Sequence, residues 1–205
     1  MKKFSSLLSL MLLVVVVTLP VCAQASWQKG FHIVHEYQGD PHVYSSESFK
    51  QSVRNLKETG TTDVPLVVHI AQSNKYSTDV RNGVDTPTDY ALREGITYLQ
   101  DQGLRVTLKI LLQPDDGTWR AMIKPYNREE WFANYEAKLL EYAQVAQDLG
   151  VYQYNIGTEL LSMTTPVTDT ANTAQWSSMI TNIRNVYSGK VIYGAQHGYI
   201  YASEY

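Results

Sequence analysis

Leu149-Gly150-Val151-Tyr152-Gln153-Tyr154-Asn155-Ile156-Gly157-Thr158-Glu159-Leu160 holds the two signals on which the fold reading turns. A glycine closes a long helical pattern, and an apolar strand follows at once and stops at a lone carboxylate. Upstream, Trp131, Tyr135, Leu139, Tyr142, Ala146 and Leu149 recur at helical spacing. Glycine just past a helix supplies a left-handed cap at low steric cost. Packing alone gives a buried strand no reason to end on glutamate. Glu159 therefore reaches solvent, pairs with a buried cation, or is held for chemistry.

The same unit recurs along the chain. Phe49, Val53 and Leu56 precede Gly60 and the strand Asp63-Val64-Pro65-Leu66-Val67-Val68. Leu92, Ile96 and Leu99 precede Gly103 and Arg105-Val106-Thr107-Leu108-Lys109-Ile110-Leu111. Trp176, Ile180, Ile183 and Tyr187 precede Gly189 and Val191-Ile192-Tyr193-Gly194-Ala195. Thr86-Pro87-Thr88-Asp89 reads as a helix start with Pro at the first helical position, and Asn127-Arg128-Glu129-Glu130 as a second start. With an opening strand at Gly30-Phe31-His32-Ile33-Val34-His35, strands and helices alternate, which predicts a parallel α/β architecture.

Two parallel folds compete, an open doubly wound sheet and a closed (β/α)8 barrel. No Gly-x-Gly-x-x-Gly follows any strand, so a dinucleotide site is unsupported. Long polar loops follow the strands (72–85 and 113–127), while those before them are short. That asymmetry belongs to a barrel whose active face is built from βα-loops. A whole barrel takes about 250 residues; with 205 residues and five strands, the chain is expected to be a TIM barrel truncated after about the fifth strand.

Composition narrows the function classes. A net charge of −3 gives no electrostatic reason to expect nucleic acid or an anionic membrane as partner. Residues 1–25 read as a signal peptide: Lys2 and Lys3, an apolar run over 7–19, then Cys22-Ala23-Gln24-Ala25. The expected location is secreted or periplasmic, with a lipoprotein anchor at Cys22 as the lesser alternative. Residues 26–205 then form one partial-barrel catalytic domain. Cys22 is the only cysteine, so thiol chemistry and disulfides are absent from the mature chain.

In a parallel barrel the C-terminal strand ends converge on one face. His32, His35, Glu36, His69, Gln72, Lys109, Gln113, Glu159, Gln196 and His197 all fall near such ends. A histidine in this position is more often a hydrogen-bonded structural residue than a catalyst. Lys109 has the alternative of a buried ion pair, with Glu159 itself as one candidate partner. Glu159 stands out because Gly157 removes bulk beside it and no other polar group follows to claim it. Burial there would raise its pKa, as a general acid near neutral pH requires. No metal is expected: His32-Ile33-Val34-His35-Glu36 fits no zinc motif, and on a strand the two histidines point to opposite faces. Neither a serine elbow nor a phosphate loop is present, and no cofactor is implied.

Several stretches together resemble glycoside hydrolase family 113. They are Thr86-Pro87-Thr88-Asp89-Tyr90-Ala91-Leu92, Gly103-Leu104-Arg105-Val106-Thr107-Leu108-Lys109, Gly117-Thr118-Trp119-Arg120, Trp131-Phe132 and Gly157-Thr158-Glu159-Leu160. The resemblance runs from about Gly30 to His197. It implies a (β/α)8 fold and a retaining β-mannanase whose catalytic glutamates lie on strands four and seven. Glu159 matches the acid/base, while the nucleophile's strand is not among these 205 residues. Expected substrate-binding residues are His32, His69, Lys109, Trp119, Gln196 and His197, with Trp119 the first stacking candidate. The expected partner is a β-linked polysaccharide or oligosaccharide. Lys109-Ile110-Leu111 and Gln196-His197 depart from the family pattern of Lys-Pro-His and Asn-Trp. Those departures motivate an alternative, a non-catalytic carbohydrate-binding protein on a degenerate barrel. Expressed alone, the 205-residue chain is expected to be inactive and to carry two unpaired apolar edges, 31–34 and 191–195.

Overall fold

The computed structural model describes residues 28–34, 39–165 and 170–196. His35, Glu36, His197 and the signal-like segment lie outside the described residues. Helix α1 (Glu47–Glu58) leads into β1 (Asp63–Gln72), α2 (Asp89–Asp101) into β2 (Arg105–Pro114) and α3 (Arg128–Asp148) into β3 (Gln153–Thr158). A short α4 (Leu161–Thr164), α5 (Asn172–Val186) and β4 (Lys190–Gly194) complete the order.

The four strands pair in parallel in the order β1-β2-β3-β4. Even-numbered positions of β1 and β2, such as Leu66, Ile70, Leu108 and Ile110, join one core with Phe49, Leu92, Trp131, Leu139 and Ile183 from the helices. Val67 and Leu111, at odd positions, are buried but belong to no part of that helix-packed core. Sequential strand order without reversal, and helices gathered on one face, are properties of a barrel wall. A doubly wound sheet reverses its order and covers both faces. The fold is thus the leading part of a (β/α)8 barrel, and the odd-numbered positions face its interior.

The opening strand is a correction. Segment 30–33 lies beside β1 only in isolated parallel bridges, Gly30 with Asp63 and Ile33 with Leu66. Asp63 and Val67 donate their N–H groups to the Lys29 and Ile33 carbonyls at 3.1 and 3.0 Å. Between them stands Pro65, which has no N–H to donate and joins this ladder only as an acceptor, from Ile33 N–H at 2.9 Å. Phe31 and Val34 on this segment are 57% and 48% exposed, and Ile192 on β4 is 37% exposed.

Helix caps show where local reading holds. Asn127 accepts from Glu130 N–H as expected, but α2 is capped by Thr88, which accepts from Ala91 N–H at 3.1 Å. Pro87 thus precedes the helix, and Thr86 is used elsewhere, donating its hydroxyl to the His69 carbonyl at 2.6 Å. Gly60, Gly103 and Gly150 adopt the left-handed conformation expected of them. Gly189 does not; a Cβ there would meet the Tyr187 hydroxyl at 2.2 Å, so close approach of that ring requires the glycine.

Several tyrosines tie the helices to the sheet through their polar tips. Tyr135 and Tyr154, both fully buried, donate to the Ile156 and Leu139 carbonyls at 2.9 and 2.8 Å. Gln72 proves to be part of this frame rather than of a site. It is fully buried and accepts from the Trp131 indole N–H at 2.9 Å. Replacing Gln72 by Met should leave that N–H without an acceptor and cost about 1–3 kcal/mol. Urea denaturation reads this directly, and an unchanged midpoint would contradict it.

Candidate active site

Glu159 follows β3, the fourth strand position once segment 30–33 is counted. It is the one non-glycine residue with positive φ among the described residues, at 56°. A left-handed backbone costs an ordinary residue roughly 1–2 kcal/mol, so the surroundings must impose it. Two hydrogen bonds from β4 do so. Glu159 N–H donates to the Gly194 carbonyl at 2.9 Å, and Leu160 N–H donates to the Tyr193 hydroxyl at 2.7 Å. Pairing between β3 and β4 shifts register between Asn155 and Thr158, where the chain turns out of the ladder. Gly157 serves the turn differently from expectation. A Cβ there would meet Tyr193 Cε2 at 2.9 Å and the Tyr135 hydroxyl at 3.0 Å, so the space is used by tyrosine rings, not by Glu159.

The carboxylate is not deeply buried. Its side chain is 31% exposed and forms an ion pair with Arg120, Nη1 to Oε2 at 2.8 Å. Trp119 Nε1–H points to the same oxygen at 3.4 Å. Two expectations are thereby corrected: burial does not define this carboxylate, and its cation is Arg120 rather than Lys109. Arg120 belongs to the Gly117-Thr118-Trp119-Arg120 motif, in which the sequence assigns it no role. Its planar fork suits several acceptors at once. Besides Glu159 it donates to the Leu112 carbonyl at 3.2 Å and to Gln113 Oε1 at 2.6 Å. An arginine adjoining an exposed tryptophan in a loop after a strand was the available signal.

Lys109 rises from the interior face of β2, and its Nζ lies 3.4 Å from His32 Nδ1. Desolvation holds Lys109 below the usual lysine pKa, opposed by the Glu159 charge and reinforced by Arg120. His32 is also held below its ordinary value, by desolvation first and then by Lys109. Burial pushes the Tyr193 phenol up to about 12, so it stays neutral beside Glu159. The structure therefore brings Glu159, Trp119, Lys109 and His32 into one constellation, with Arg120 and Gln113 added.

His69 sits apart from it. It is buried at the wall of a cleft of about 210 Å3 between the loops after β1 and β2, with Gly83, Asp85, Gln113 and Asp115. Glu159 is not on that wall, and Gln113 is the link between cleft and carboxylate. Gln196 is half-buried just beyond β4. No group of three or more His, Cys, Asp or Glu among the described residues is placed to hold a metal ion.

The model of glycoside hydrolase family 113 matches residues 33–201. The chain belongs to glycoside hydrolase family 113. Two solved structures of a family 113 β-1,4-mannanase, one of them a complex, are each 27% identical to it with a TM-score of 0.74. Each aligns over 82% of this chain and 55% of its own. A family 113 β-mannanase from Alicyclobacillus acidocaldarius, in complex with ManMIm, is 23% identical with a TM-score of 0.71, over 83% and 54% of the two chains, and bears on the fold alone. No curated protein sequence matches. The chain spans about half the length of these family 113 structures, in keeping with the leading part of a barrel.

The His32–Lys109 contact generates a titration. Replacing Lys109 by Gln removes the nearby positive charge but leaves the desolvation, so the His32 pKa should rise part of the way to the ordinary histidine value. NMR titration of the His32 ring protons measures it. A pKa that stays or falls would show that Lys109 does not act on His32.

Proposed function

We propose that the protein is an exported glycosidase that cleaves β-linked polysaccharide, mannan first, by a retaining mechanism with Glu159 as acid/base. The observation that carries the reading is the placement of Glu159. A carboxylate is forced into a strained turn at the interior end of β3, beside a half-exposed tryptophan, and the sequence resemblance assigns the acid/base role to this position. Membership in the family and the likeness to β-mannanases support the substrate class. Export rests on the signal-like segment 1–25.

Among the described residues both side-chain contacts fall on Oε2, which leaves the other oxygen to meet the glycosidic oxygen. In the first step Glu159 donates its proton to the departing sugar oxygen as a second carboxylate attacks the anomeric carbon. In the second step it takes a proton from water, which displaces the enzyme carboxylate. The two carboxyl groups of such a pair stand about 5–5.5 Å apart. The resemblance assigns the second to strand seven, so no residue here takes that role. Trp119 supplies the ring face against a sugar, and His32 and Lys109 offer polar contacts to its hydroxyls. The second reading draws on the Arg120 pair. A carboxylate fixed by a guanidinium at 2.8 Å is a good acceptor for sugar hydroxyls, which suits a carbohydrate-binding protein without activity.

Substitution of Glu159 by Gln in the full-length protein separates the two. An enzyme should lose polysaccharide hydrolysis by about 10²–10⁴-fold, as removal of general acid–base catalysis does. Azide should restore turnover of an activated aryl glycoside and yield a glycosyl azide. Undiminished hydrolysis of both substrates would remove Glu159 from the mechanism. A wild type that binds mannan without cleaving it would favour the binder.

A further inference from the structure

The loops after β1 and β2 are fastened together along one edge. Asp115 N–H donates to the Gln72 carbonyl at 2.8 Å, Lys124 N–H to Lys75 at 2.7 Å and Tyr126 N–H to Tyr76 at 2.9 Å. The Lys75 N–H also reaches the Asp116 carboxylate. This stitching lays Tyr76 and Tyr126 ring on ring, with centroids 5.2 Å apart and planes 16° from parallel. The Lys75 ammonium sits 5.0 Å from the Tyr76 ring centroid. Trp119, which touches Glu159, belongs to the second of these loops, three residues beyond Asp116.

Packing does not account for the pair. Tyr126 is 88% exposed and Tyr76 39%. Tyr135 and Tyr154, by contrast, are buried and spend their hydroxyls on backbone carbonyls. Holding an exposed ring in place costs rotamer entropy that burial does not return here. What the pair presents is an open, flat aromatic face with a polar tip, next to the loop that carries Trp119. A protein partner ordinarily covers about 800 Å2 per side, far more than two rings offer. The C–H face of one or two pyranose units fits the size and chemistry.

We propose that Tyr76 and Tyr126 form a distal binding platform on which the backbone of a β-linked polysaccharide stacks, away from the bond being cleaved. The proposal rests on the glycan reading of the Glu159 site. A chain held at both places gains from effective concentration, so the platform acts on polymers and not on short substrates.

The test uses the full-length protein in native gels containing soluble galactomannan, together with kinetics on that polymer and on an activated aryl β-mannobioside. Wild type should be retarded by the polymer. Tyr126→Ala should lose most of the retardation and raise KM for the polymer about 5–10-fold, with kcat/KM on the short substrate unchanged. Tyr126→Phe keeps the ring and should behave as wild type, and Tyr76→Ala should resemble Tyr126→Ala. Equal retardation and equal polymer KM in wild type and Tyr126→Ala would overturn the platform. So would absence of any retardation of the wild type, or a loss in Tyr126→Phe as large as in Tyr126→Ala. The two readings fail separately. Retardation that depends on Tyr126, in a wild type that hydrolyses neither substrate, leaves the platform standing and removes the catalytic role of Glu159. Hydrolysis that depends on Glu159, without retardation that depends on Tyr126, does the reverse.

Discussion

The left-handed backbone of Glu159, tied to β4 by its own N–H, is the constraint on which the site depends. With φ of 56° the chain turns out of β3 at the carboxylate, where a regular strand would carry the residue past the strand end. The bond to the Gly194 carbonyl requires β4 to arrive in parallel beside β3, and that requires α5 to pack and return the chain. Trp176 of α5 in turn packs edge-on to Tyr193, whose hydroxyl fixes the next amide. Sequence-distant elements thus set a single torsion angle. Strain of this kind persists only where the surroundings over-determine it.

What the sequence made legible follows from periodicity. Helical stripes and apolar runs mark α1, α2, α3, α5 and β1 to β4, because burial of one helix face, and of both faces of strands such as β1 and β2, is local in pattern. Pro65 was in plain view, yet its effect on the edge depends on which neighbour its missing N–H would have met. The cap of α2 shows the same limit: Thr86 and Thr88 are equivalent as local signals, and only the His69 carbonyl, far away in sequence, decides between them. In the site, Glu159, Trp119, Lys109 and His32 could be named from strand ends and motif. The Arg120 bridge could not, since it joins a loop after β2 to the end of β3 across 39 residues. Gly157 was legible as a need for space, but the tyrosines that fill it were not.

The charges on the interior face carry the argument one step further. Lys109 and Arg120 oppose each other there, and Glu159, already paired to Arg120, is the carboxylate that favours the charge of Lys109. Desolvating a cation without a full partner is costly, which is why Lys109 and its neighbour His32 are both held below their ordinary pKa values. A second carboxylate beside this group would relieve that cost, and it would also draw on the guanidinium that now pairs with Glu159. Retaining glycosidases place such a carboxylate about 5–5.5 Å from the acid/base. On the retaining reading proposed above, Arg120 and Lys109 are the cations such a second carboxylate would meet beside Glu159.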